Sequence, residues 1–595
     1  MTDHTCIEIV DLNPAVAYQR RKIEQFVQAC GLRYDDMDYY AAATDTATGE
    51  MAAGGGLCRD VIKCVAVAEK YRGAALANAI VSHLIARAGS EGVQCVKLYT
   101  KPENRRLFES LSFRLLAEAP EAILMETGIG GIESTERELR DMACKARLQG
   151  GALPPHTDVH TGAIVMNCNP FTIGHRWLIE QASRQADRLF VIVVREDCSM
   201  FAYGERRDMV ARGTAHLPNV YVADGGCYAV SRATFPTYFI KRPDHAADTQ
   251  MRLDIDLYRR HIAPALGATV RFVGSEPDDP LTRRYNETMK LMLPDVREMP
   301  RLKLDGRAVS ASRVRQAIAK GCLADAARTA DKAAIPYIIA HLATRALQAE
   351  LDTTPKPGLV DRRDNGAHSD MGHALMQRSI LTLHPYMARI ATTAYKAEPP
   401  CRDEIAAIGI DAERAMLNAT GGVNTHRGAL FALGLAVAAT AHLCHCGSTL
   451  TPAAIGRAIA SMAAQWDYAR GTHGSEVRHS TRAKGALDNA REGYSMLAGA
   501  WLPFYSALHH NADPYAMHKT LLRIMCDLDD TNIAYRTSAD TMQGVKGEAR
   551  RLLQHFSAAG LEEMNASFKA RNISPGGSAD MLSLVVFLHS VTQKQ

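Results

Sequence analysis

The stretch Met-Asn-Cys-Asn-Pro-Phe-Thr-Ile-Gly-His, at residues 166–175, decides the fold of the middle of the chain. It joins an apolar segment from Ala163 to Met166, which is typical of a buried strand, to a segment with helical periodicity from Trp177 onward. At such a junction the free backbone N–H groups and the positive end of the helix dipole point toward one place. The stretch therefore predicts a polyphosphate site at the start of this helix.

The surrounding segments predict a parallel sheet. Strand-like runs at Leu189–Val194, Val220–Val222 and Val270–Val273 alternate with helical patterns. This alternation favours an α/β, doubly wound domain over residues 156–330. Ligands of such sheets lie beyond the carboxyl ends of the strands, which is where the 166–175 stretch begins.

Two motifs in this region resemble those of nucleotidylyltransferases. Thr172-Ile-Gly-His175 resembles the (His/Thr)-x-Gly-His motif, and residues 309–315, Val-Ser-Ala-Ser-Arg-Val-Arg, resemble the Ile-Ser-Ser-Thr-x-x-Arg motif. The resemblance implies attack on the α-phosphate of ATP, although each segment alone also fits a plain helix cap. The ATP and phosphate ligands it implies are Asn169, Phe171, Thr172, Gly174, Ser310, Ser312 and Arg315, with His175 as the catalytic donor.

Composition limits the possible functions. The chain has 595 residues, 47% hydrophobic and 23% charged, which is typical of several globular domains. Its 69 basic and 65 acidic residues are spread evenly, so we expect no nucleic-acid partner. The 14 cysteines show no paired metal spacing, and residues 1–6 lack the pattern of a secretory leader, which favours a cytoplasmic protein. The longest apolar run, Ala429 to Leu443, predicts a buried helix and no membrane partner.

The N-terminal region predicts an α+β module over residues 1–130. Cys58–Val67 is strand-like, Ala75–Ala88 has helical periodicity, and Val93–Tyr99 is again strand-like. This order resembles the GNAT-type acetyltransferase fold, except that Ala75 occupies the place of a phosphate-loop glycine. A charged segment from Glu133 to Leu148, between glycine-rich stretches, predicts a helical linker over residues 131–155.

Three further blocks extend the resemblance of residues 1–330 to one family. Residues 195–203, 231–241 and 271–277 resemble the citrate lyase ligase family. The resemblance implies that acetate and ATP form acetyl-adenylate and pyrophosphate, and that a thiol on the acyl carrier (gamma) subunit of citrate lyase then takes the acetyl group. Arg232 and Lys241 are expected to bind acetate or phosphates, with Mg²⁺ assisting.

After residue 330, long Ala- and Leu-rich segments predict an all-α domain over residues 335–595. Four polar islands interrupt it, at residues 356–371, 421–428, 529–532 and 574–580. Carboxylates and amides grouped with Lys and Arg suit a Mg²⁺-bound triphosphate, although each island alone also fits a helix-capping turn.

The islands resemble the triphosphoribosyl-dephospho-coenzyme A synthase family. That family joins ATP to 3′-dephospho-coenzyme A and releases adenine, so the resemblance implies that ATP is a substrate here also. The implied catalytic residues are Asp361, His368, Asp370, His426 and Asp530, with Asp370 and Asp530 on Mg²⁺. The implied nucleotide ligands are Lys356, Asn424, Arg427 and Asn532. The family's Gly-Ala-Arg-Gly-Glu-Ala block reads Gly-Ala-Leu-Asp-Asn-Ala at residues 485–490, with Arg482, Lys484 and Arg491 nearby.

Both resemblances converge on the prosthetic group of citrate lyase. We therefore expect a bifunctional maturation enzyme, in which the C-terminal half makes the precursor and the N-terminal half acetylates the finished thiol. Two alternatives stay open: another nucleotidylyltransferase with a helical companion, and a non-catalytic scaffold that docks the acyl carrier. Malonate decarboxylase uses a related group, but the N-terminal blocks favour citrate lyase.

Overall fold

The computed structural model describes residues 7–72, 75–149, 160–195, 199–226, 228, 238–239, 243–276, 279–466 and 484–593. The chain forms two compact units, Met1–Val309 and Ser310–Gln595. The first contains two large sheets and the second is helical in its described residues.

The first sheet is mixed and has seven strands. They are Ile7–Leu12 (β1), Tyr39–Asp45 (β2), Met51–Cys58 (β3), Val61–Val67 (β4), Cys95–Thr100 (β5), Arg114–Ala119 (β6) and Ala122–Gly128 (β7), in the spatial order β1-β2-β3-β4-β5-β7-β6. All neighbours are antiparallel except β4 and β5. The strand predicted over Cys58–Val67 is confirmed as β4 from Val61 onward, but its first residues belong to the end of β3 and to a turn at Arg59, which has a left-handed φ of 54°.

Helices Ala17–Ala29 (α1), Leu76–Ser90 (α2) and Arg105–Ser110 (α3) accompany this sheet. The helix predicted over Ala75–Ala88 is confirmed as α2, whose Ile80 and Leu84 are fully buried in a core that includes Ile62. Ala75 precedes it in the left-handed conformation at φ 54°, which a glycine adopts without strain.

The second sheet is parallel throughout and has five strands. They are Thr161–Met166 (β8), Arg188–Val193 (β9), Val220–Asp224 (β10), Val270–Gly274 (β11) and Val296–Met299 (β12), in the spatial order β10-β9-β8-β11-β12. Each run predicted as a strand in this region is confirmed as part of one of them, except that Val194 lies just beyond the end of β9. Because β8 is the central strand, its carboxyl end lies between the carboxyl ends of β9 and β11.

The helices of this region are Gly131–Gln149 (α4), Ile173–Ser183 (α5), Tyr203–Thr214 (α6), Pro243–Leu257 (α7), Ala263–Leu266 (α8) and Pro280–Met292 (α9). A two-stranded hairpin, Lys303–Leu304 (β13) with Arg307–Ala308 (β14), follows β12. The helix predicted over Glu133–Leu148 is confirmed as α4. Its Leu139 and Ala143 share a buried core with Phe190 and Ile192, so α4 packs on the parallel sheet.

The second unit is built from helices. They are Ala311–Ala319 (α10), Leu323–Ala327 (α11), Ile335–Asp352 (α12), His373–Ala394 (α13), Arg402–Ala419 (α14), Arg427–His445 (α15), Pro452–Ala463 (α16), Ala486–Arg491 (α17), Leu502–His510 (α18), Ala516–Asp527 (α19), Thr531–Arg536 (α20), Ala539–Gln554 (α21), Ala558–Ala570 (α22) and Gly576–Thr592 (α23). The prediction of a helical C-terminal region is confirmed for its described part. The long helices α12, α13, α15 and α23 pack on one another.

Helix α15 contains the apolar run predicted to be a buried helix. With 19 residues it is longer than that run, and among the described helices it has the length and composition that could span a bilayer. However, 67% of its most apolar window is buried inside the unit. Its Leu433, Ala436 and Val437 have essentially no exposed surface, as in the central helix of a bundle.

Candidate functional sites

The first candidate site lies where β8 ends and α5 begins. Thr172 is the N-cap of α5, and its Oγ1 accepts a hydrogen bond from the backbone N–H of His175 at 3.3 Å. In return, Nδ1 of His175 accepts from the backbone N–H of Thr172 at 3.1 Å. This reciprocal cap holds the imidazole across the first turn of the helix.

The cap also determines which nitrogen of His175 carries the proton. A neutral imidazole has one donor and one acceptor, so acceptance at Nδ1 leaves the N–H on Nε2. Burial, with a smaller contribution from Arg301, lowers the pKa of His175 to about 4. His175 is therefore a neutral donor at pH 7, and its Nε2 is turned away from the backbone of the cap.

Phe171, which was predicted as an ATP ligand, has its side chain in the core. Its side chain is fully buried and stacks on the His175 ring, with centroids 5.9 Å apart and planes 15° apart. It thus supports the imidazole and offers no surface to ATP. Asn169 is also buried, and its Oδ1 accepts from the backbone N–H of Phe201 at 3.2 Å.

A buried arginine fixes the strand ends around this turn. Arg206 has no exposed surface and donates to the carbonyl oxygens of Asn167, Val194 and Phe201 at 2.7, 2.8 and 3.0 Å. It also donates to Oδ1 of Asn167 at 2.7 Å. Since Asn167 follows β8 and Val194 follows β9, Arg206 ties two neighbouring carboxyl ends together. Sequence reasoning assigned it no role.

Arg301 is a second residue that sequence reasoning missed. It follows β12, donates to Glu276 at 2.7 Å, and lies close enough to His175 to help lower the pKa of that histidine. A guanidinium beside a neutral N–H donor suits a phosphate. The signal was its position after a parallel strand, but β12 was not predicted.

Six predicted residues of this site remain, and the structure describes four of them: Gly174, Ser310, Ser312 and Arg315. A Cβ added at Gly174 would lie 3.2 Å from the Val309 side chain, so Val309 packs tightly on the first motif. Ser310 is the N-cap of α10 in the second unit, and its Oγ lies 2.8 Å from Oγ of Ser312, near Arg315 on the same helix. Arg232 and Lys241 lie outside the described residues.

The second candidate site forms where the four polar islands of the helical unit meet. His368 of the first island lies 2.8 Å, from Nε2 to Oγ, from Ser574 of the fourth. Asp530 of the third island accepts hydrogen bonds from Ser578 of the fourth. A Cβ on Gly428 of the second island would lie 2.0 Å from Oδ2 of Asp580 in the fourth. Segments up to two hundred residues apart thus contribute to one centre.

The first island folds around a carboxylate. Oδ2 of Asp361 accepts from the backbone N–H of Lys356 at 3.0 Å, and Oδ1 accepts from those of Arg363 and Asp364 at 2.7 and 2.9 Å. Lys356 is 1% exposed and forms a short ion pair with Glu350, which sequence reasoning missed. Burial raises the pKa of Glu350. The ion pair thus lies inside the bundle.

Asp530 joins two helix N-termini. Its Oδ1 accepts from the backbone N–H groups of Asn532 and Gly577, and its Oδ2 accepts from the N–H and hydroxyl of Ser578, over 2.8–3.3 Å. A carboxylate offers about four lone-pair directions, so these donors occupy all of them. The arrangement favours a positioning role for Asp530 and leaves little room for a metal.

Asp580 lies in the fourth island, but no role was predicted for it from the sequence. It lies at the N-terminus of α15, where the backbone N–H of Ala429 donates to it. Burial, and then the nearby Asp530 and Glu350, raise its pKa well above the usual value. Its side chain nevertheless keeps some accessible surface. Asp580 is therefore a carboxyl group that tends to hold a proton and that a ligand can approach.

Two buried histidines have ring nitrogens without a partner among the described residues. Nδ1 of His426 lies 2.8 Å from Oγ of Ser379, whereas its Nε2 has none, and burial lowers its pKa to about 3. No well-formed hydrogen bond reaches either ring nitrogen of His518 among the described residues, although the backbone of Thr354 and the charges of Asp361 and Lys356 affect its ring. Buried polar atoms are usually hydrogen bonded, so these mark where a polar ligand fits.

The other predicted residues lie on the rim. Asp370 is 59% exposed, 3.8 Å from Nδ1 of His368, and Arg427 is 53% exposed and paired with Glu413. Asn424 accepts from the backbone N–H of Arg427 at 3.2 Å. Asn532 lies over the start of α23, where a Cβ on Gly576 would be 2.9 Å from its Nδ2.

Comparison with known proteins assigns the regions of the two candidate sites to two different families. A family model described as citrate lyase ligase C-terminal domain matches residues 161–338, and one described as ATP:dephospho-CoA triphosphoribosyl transferase matches residues 336–595. The [citrate (pro-3S)-lyase] ligase of Haemophilus influenzae is 36% identical over 308 residues, which cover 50% of this chain and 88% of that protein. The 2-(5″-triphosphoribosyl)-3′-dephosphocoenzyme-A synthase of Klebsiella pneumoniae is 36% identical over 266 residues, covering 42% and 94%.

These matches define a fused enzyme, a ligase joined to a transferase. The chain belongs to the citrate lyase ligase family in its N-terminal part and to the triphosphoribosyl-dephospho-coenzyme A synthase family in its C-terminal part. Both resemblances inferred from the motifs are confirmed. A solved N-acetyltransferase structure from Lactobacillus plantarum aligns at 16% identity, with a TM-score of 0.19, over 21% of this chain and 99% of its own length.

Proposed function

We propose that the chain carries out two ATP-dependent steps in the maturation of citrate lyase. The N-terminal part activates acetate as acetyl-adenylate and passes the acetyl group to the thiol of the acyl carrier subunit. The C-terminal part joins the triphosphoribosyl group of ATP to 3′-dephospho-coenzyme A and releases adenine. The parallel sheet then serves as a doubly wound nucleotide-binding domain, with residues 131–155 linking it to an acetyltransferase-like module.

The observation that supports the first step most directly is the N–H of His175 at the end of the central strand. Acetate and the α-phosphate are both anions, so charge repulsion is the main barrier to their reaction. The Nε2–H of His175, the free N–H groups at the start of α5, and Arg301 would donate to phosphoryl oxygens there. A neutral histidine does this without a proton transfer. We keep Ser310, Ser312 and Arg315 as proposed ligands of the β- and γ-phosphates.

Mg²⁺ is proposed to enter each site with ATP. In the described part of the chain, no three His, Cys, Asp or Glu side chains are grouped closely enough to hold a metal. Mg²⁺ commonly uses one or two carboxylates together with substrate phosphates, so the protein need not provide a complete set of ligands. When bound, the ion neutralises phosphate charge. Asp370, exposed on the rim, is the better placed of the two predicted ligands.

The second step breaks the bond between C1′ and N9 of ATP and forms a bond from C1′ to a ribose hydroxyl oxygen. Adenine must gain a proton as it leaves, and the attacking hydroxyl must lose one. Asp580 is the proposed acid, because its surroundings favour the protonated form and it stays accessible. His426 is the proposed base: with its Nδ1–H donating to Oγ of Ser379, its Nε2 carries a lone pair that can take the hydroxyl proton.

Product analysis on the purified full-length chain tests both steps. We expect pyrophosphate release that depends on acetate, and adenine release that depends on 3′-dephospho-coenzyme A. Pyrophosphate release that depends instead on phosphopantetheine or nicotinate mononucleotide would identify a different nucleotidylyltransferase. Nucleotide binding without either product would identify a scaffold.

The acid role of Asp580 has its own test. Replacing it in D580N preserves its shape but removes the transferable proton, so adenine release should fall by about 10²–10⁴-fold. The matched control is D411N, because Asp411 is a half-exposed carboxylate on α14 outside the site. Equal adenine release by D580N and the unmodified chain would contradict the assignment.

A further inference from the structure

Tyr494 presents a polar atom that the fold leaves without a partner. Its side chain is 4% exposed, and no hydrogen-bond partner reaches its hydroxyl in the described part of the structure. A buried hydroxyl normally finds one, because an unpaired polar atom loses its contact with water and gains nothing in return. The position of Tyr494 therefore needs an explanation outside the stability of the fold.

The turn that carries Tyr494 is fixed closely in place. A Cβ on Gly493 would lie 2.5 Å from the carbonyl oxygen of Gly456 on α16, and a Cβ on Gly456 would lie 2.7 Å from that of Gly493. The two backbones thus touch, as only glycines permit. Tyr494 itself has a left-handed φ of 52°, which is unfavourable for a large side chain. Strain of this kind concentrates at functional sites.

Tyr494 lies within electrostatic reach of Asp580, the proposed acid of the second step. The carboxyl group of Asp580 contributes to raising the pKa of Tyr494, after the larger effect of burial. Asp580 in turn interacts with Asp530 and Glu350, so several carboxyl groups lie around it. Such surroundings suit the uncharged adenine base better than a triphosphate, which needs positive charge around it. Basic side chains such as Arg427 lie on the rim.

The two groups match one edge of adenine. That edge presents N7, a hydrogen-bond acceptor, beside the 6-amino group, a donor. A carboxylic acid donates to N7, and a phenol oxygen accepts from the amino group. We propose that Tyr494 contacts the 6-amino group of the adenine of ATP in the C-terminal site and holds N7 against Asp580. This inference rests on the proposed function of that site.

The test compares two nucleotides in the full-length chain. Y494F removes only the hydroxyl, and purine riboside triphosphate lacks only the 6-amino group. With ATP, Y494F should lower kcat/KM for adenine release about tenfold, as expected for one hydrogen bond. With the analogue, Y494F and the unmodified chain should release purine equally fast. The control Y505F, at a buried tyrosine on α18, should change neither.

Stability provides the second measurement. Because the hydroxyl has no partner in the described structure, its removal should leave the Tm unchanged or higher. A lower Tm, an equal loss with both nucleotides, or no loss with ATP would each overturn the role of Tyr494 while leaving the proposed function intact. Failure of the unmodified chain to release adenine would instead overturn the proposed function, and this inference with it.

Discussion

His175 donates from a neutral ring held at the end of the central strand, and the first prediction concerns that single N–H. H175A should reduce acetate-dependent pyrophosphate release by about 10²–10³-fold, because it removes one hydrogen-bond donor that stabilises the charge developing on the α-phosphate. Pyrophosphate can be followed with a coupled phosphate assay.

The matched control for H175A is H216A. His216 is half-exposed and lies 3.2 Å from Glu180, so its loss should have little effect. Adenine release should also be unchanged in H175A. A loss of less than threefold in pyrophosphate release would remove His175 from the proposed mechanism.

The pH dependence of this step follows from the lowered pKa of His175. Folding lowers that pKa from 6.5 to about 4, so the ring stays neutral from alkaline pH down to about pH 5 and gains its proton only below that. The rate of pyrophosphate release should therefore show no inflection near pH 6.5. An inflection there that disappears in H175Q would mean that the imidazolium form is the active one.

Single residues were predictable where a local motif carried the signal. Thr172 and His175 are three residues apart and cap one helix, so the chain itself brings them together. Asp580 and Gly428 meet only because α15 and α23 pack, and no local pattern reveals such a contact. The sequence also did not show that the side chain of Phe171 is a core residue, because an aromatic side chain in a motif fits either place.

At the scale of elements, the carboxyl group of Asp580 packs against the N-terminus of α15, where Gly428 leaves room for it. G428A would place a Cβ 2.0 Å from Oδ2 of Asp580, so the carboxyl must move. We expect adenine release to fall by at least about tenfold, because a displaced Asp580 no longer reaches the leaving adenine. The measurement is the rate of adenine release, with the Tm as a check on folding.

The same helix provides the control. A Cβ on Gly434 would lie 3.4 Å from Cδ1 of Ile390, which is close to an ordinary contact. G434A should keep its activity and gain up to about 1 kcal/mol of helix stability. If both variants lost adenine release equally, the effect would belong to the helix and not to Asp580.

Elements with a clear period were predicted well. Strands β8 and β9 contain continuous apolar runs, and α2 and α4 have helical spacing, so each is decided by its own residues. The strand predicted over Cys58–Val67 began three residues before β4 because the turn at Arg59 and Asp60 contains neither glycine nor proline. Strand β12, Val296–Met299, was missed because its four residues include Arg297 and Glu298.

At the scale of the whole molecule, the chain joins two families whose matches meet near residue 336, inside the second of its two compact units. Composition and the change from β-branched to Ala- and Leu-rich segments indicated this division, and both families were recognised from their motifs. The convergence of the four islands was anticipated from their shared polar chemistry. Their geometry required the packed bundle, in which Asp361 and Asp530 are occupied by backbone donors.

The central claim is that one polypeptide carries out two separate reactions on ATP. The most direct test measures pyrophosphate and adenine together for the full-length chain, H175A and D580N, with acetate and 3′-dephospho-coenzyme A both supplied. We predict that H175A loses acetate-dependent pyrophosphate while keeping adenine release, and that D580N does the reverse. If either variant lost both products, or if neither lost any, the two sites would not be the independent centres described above.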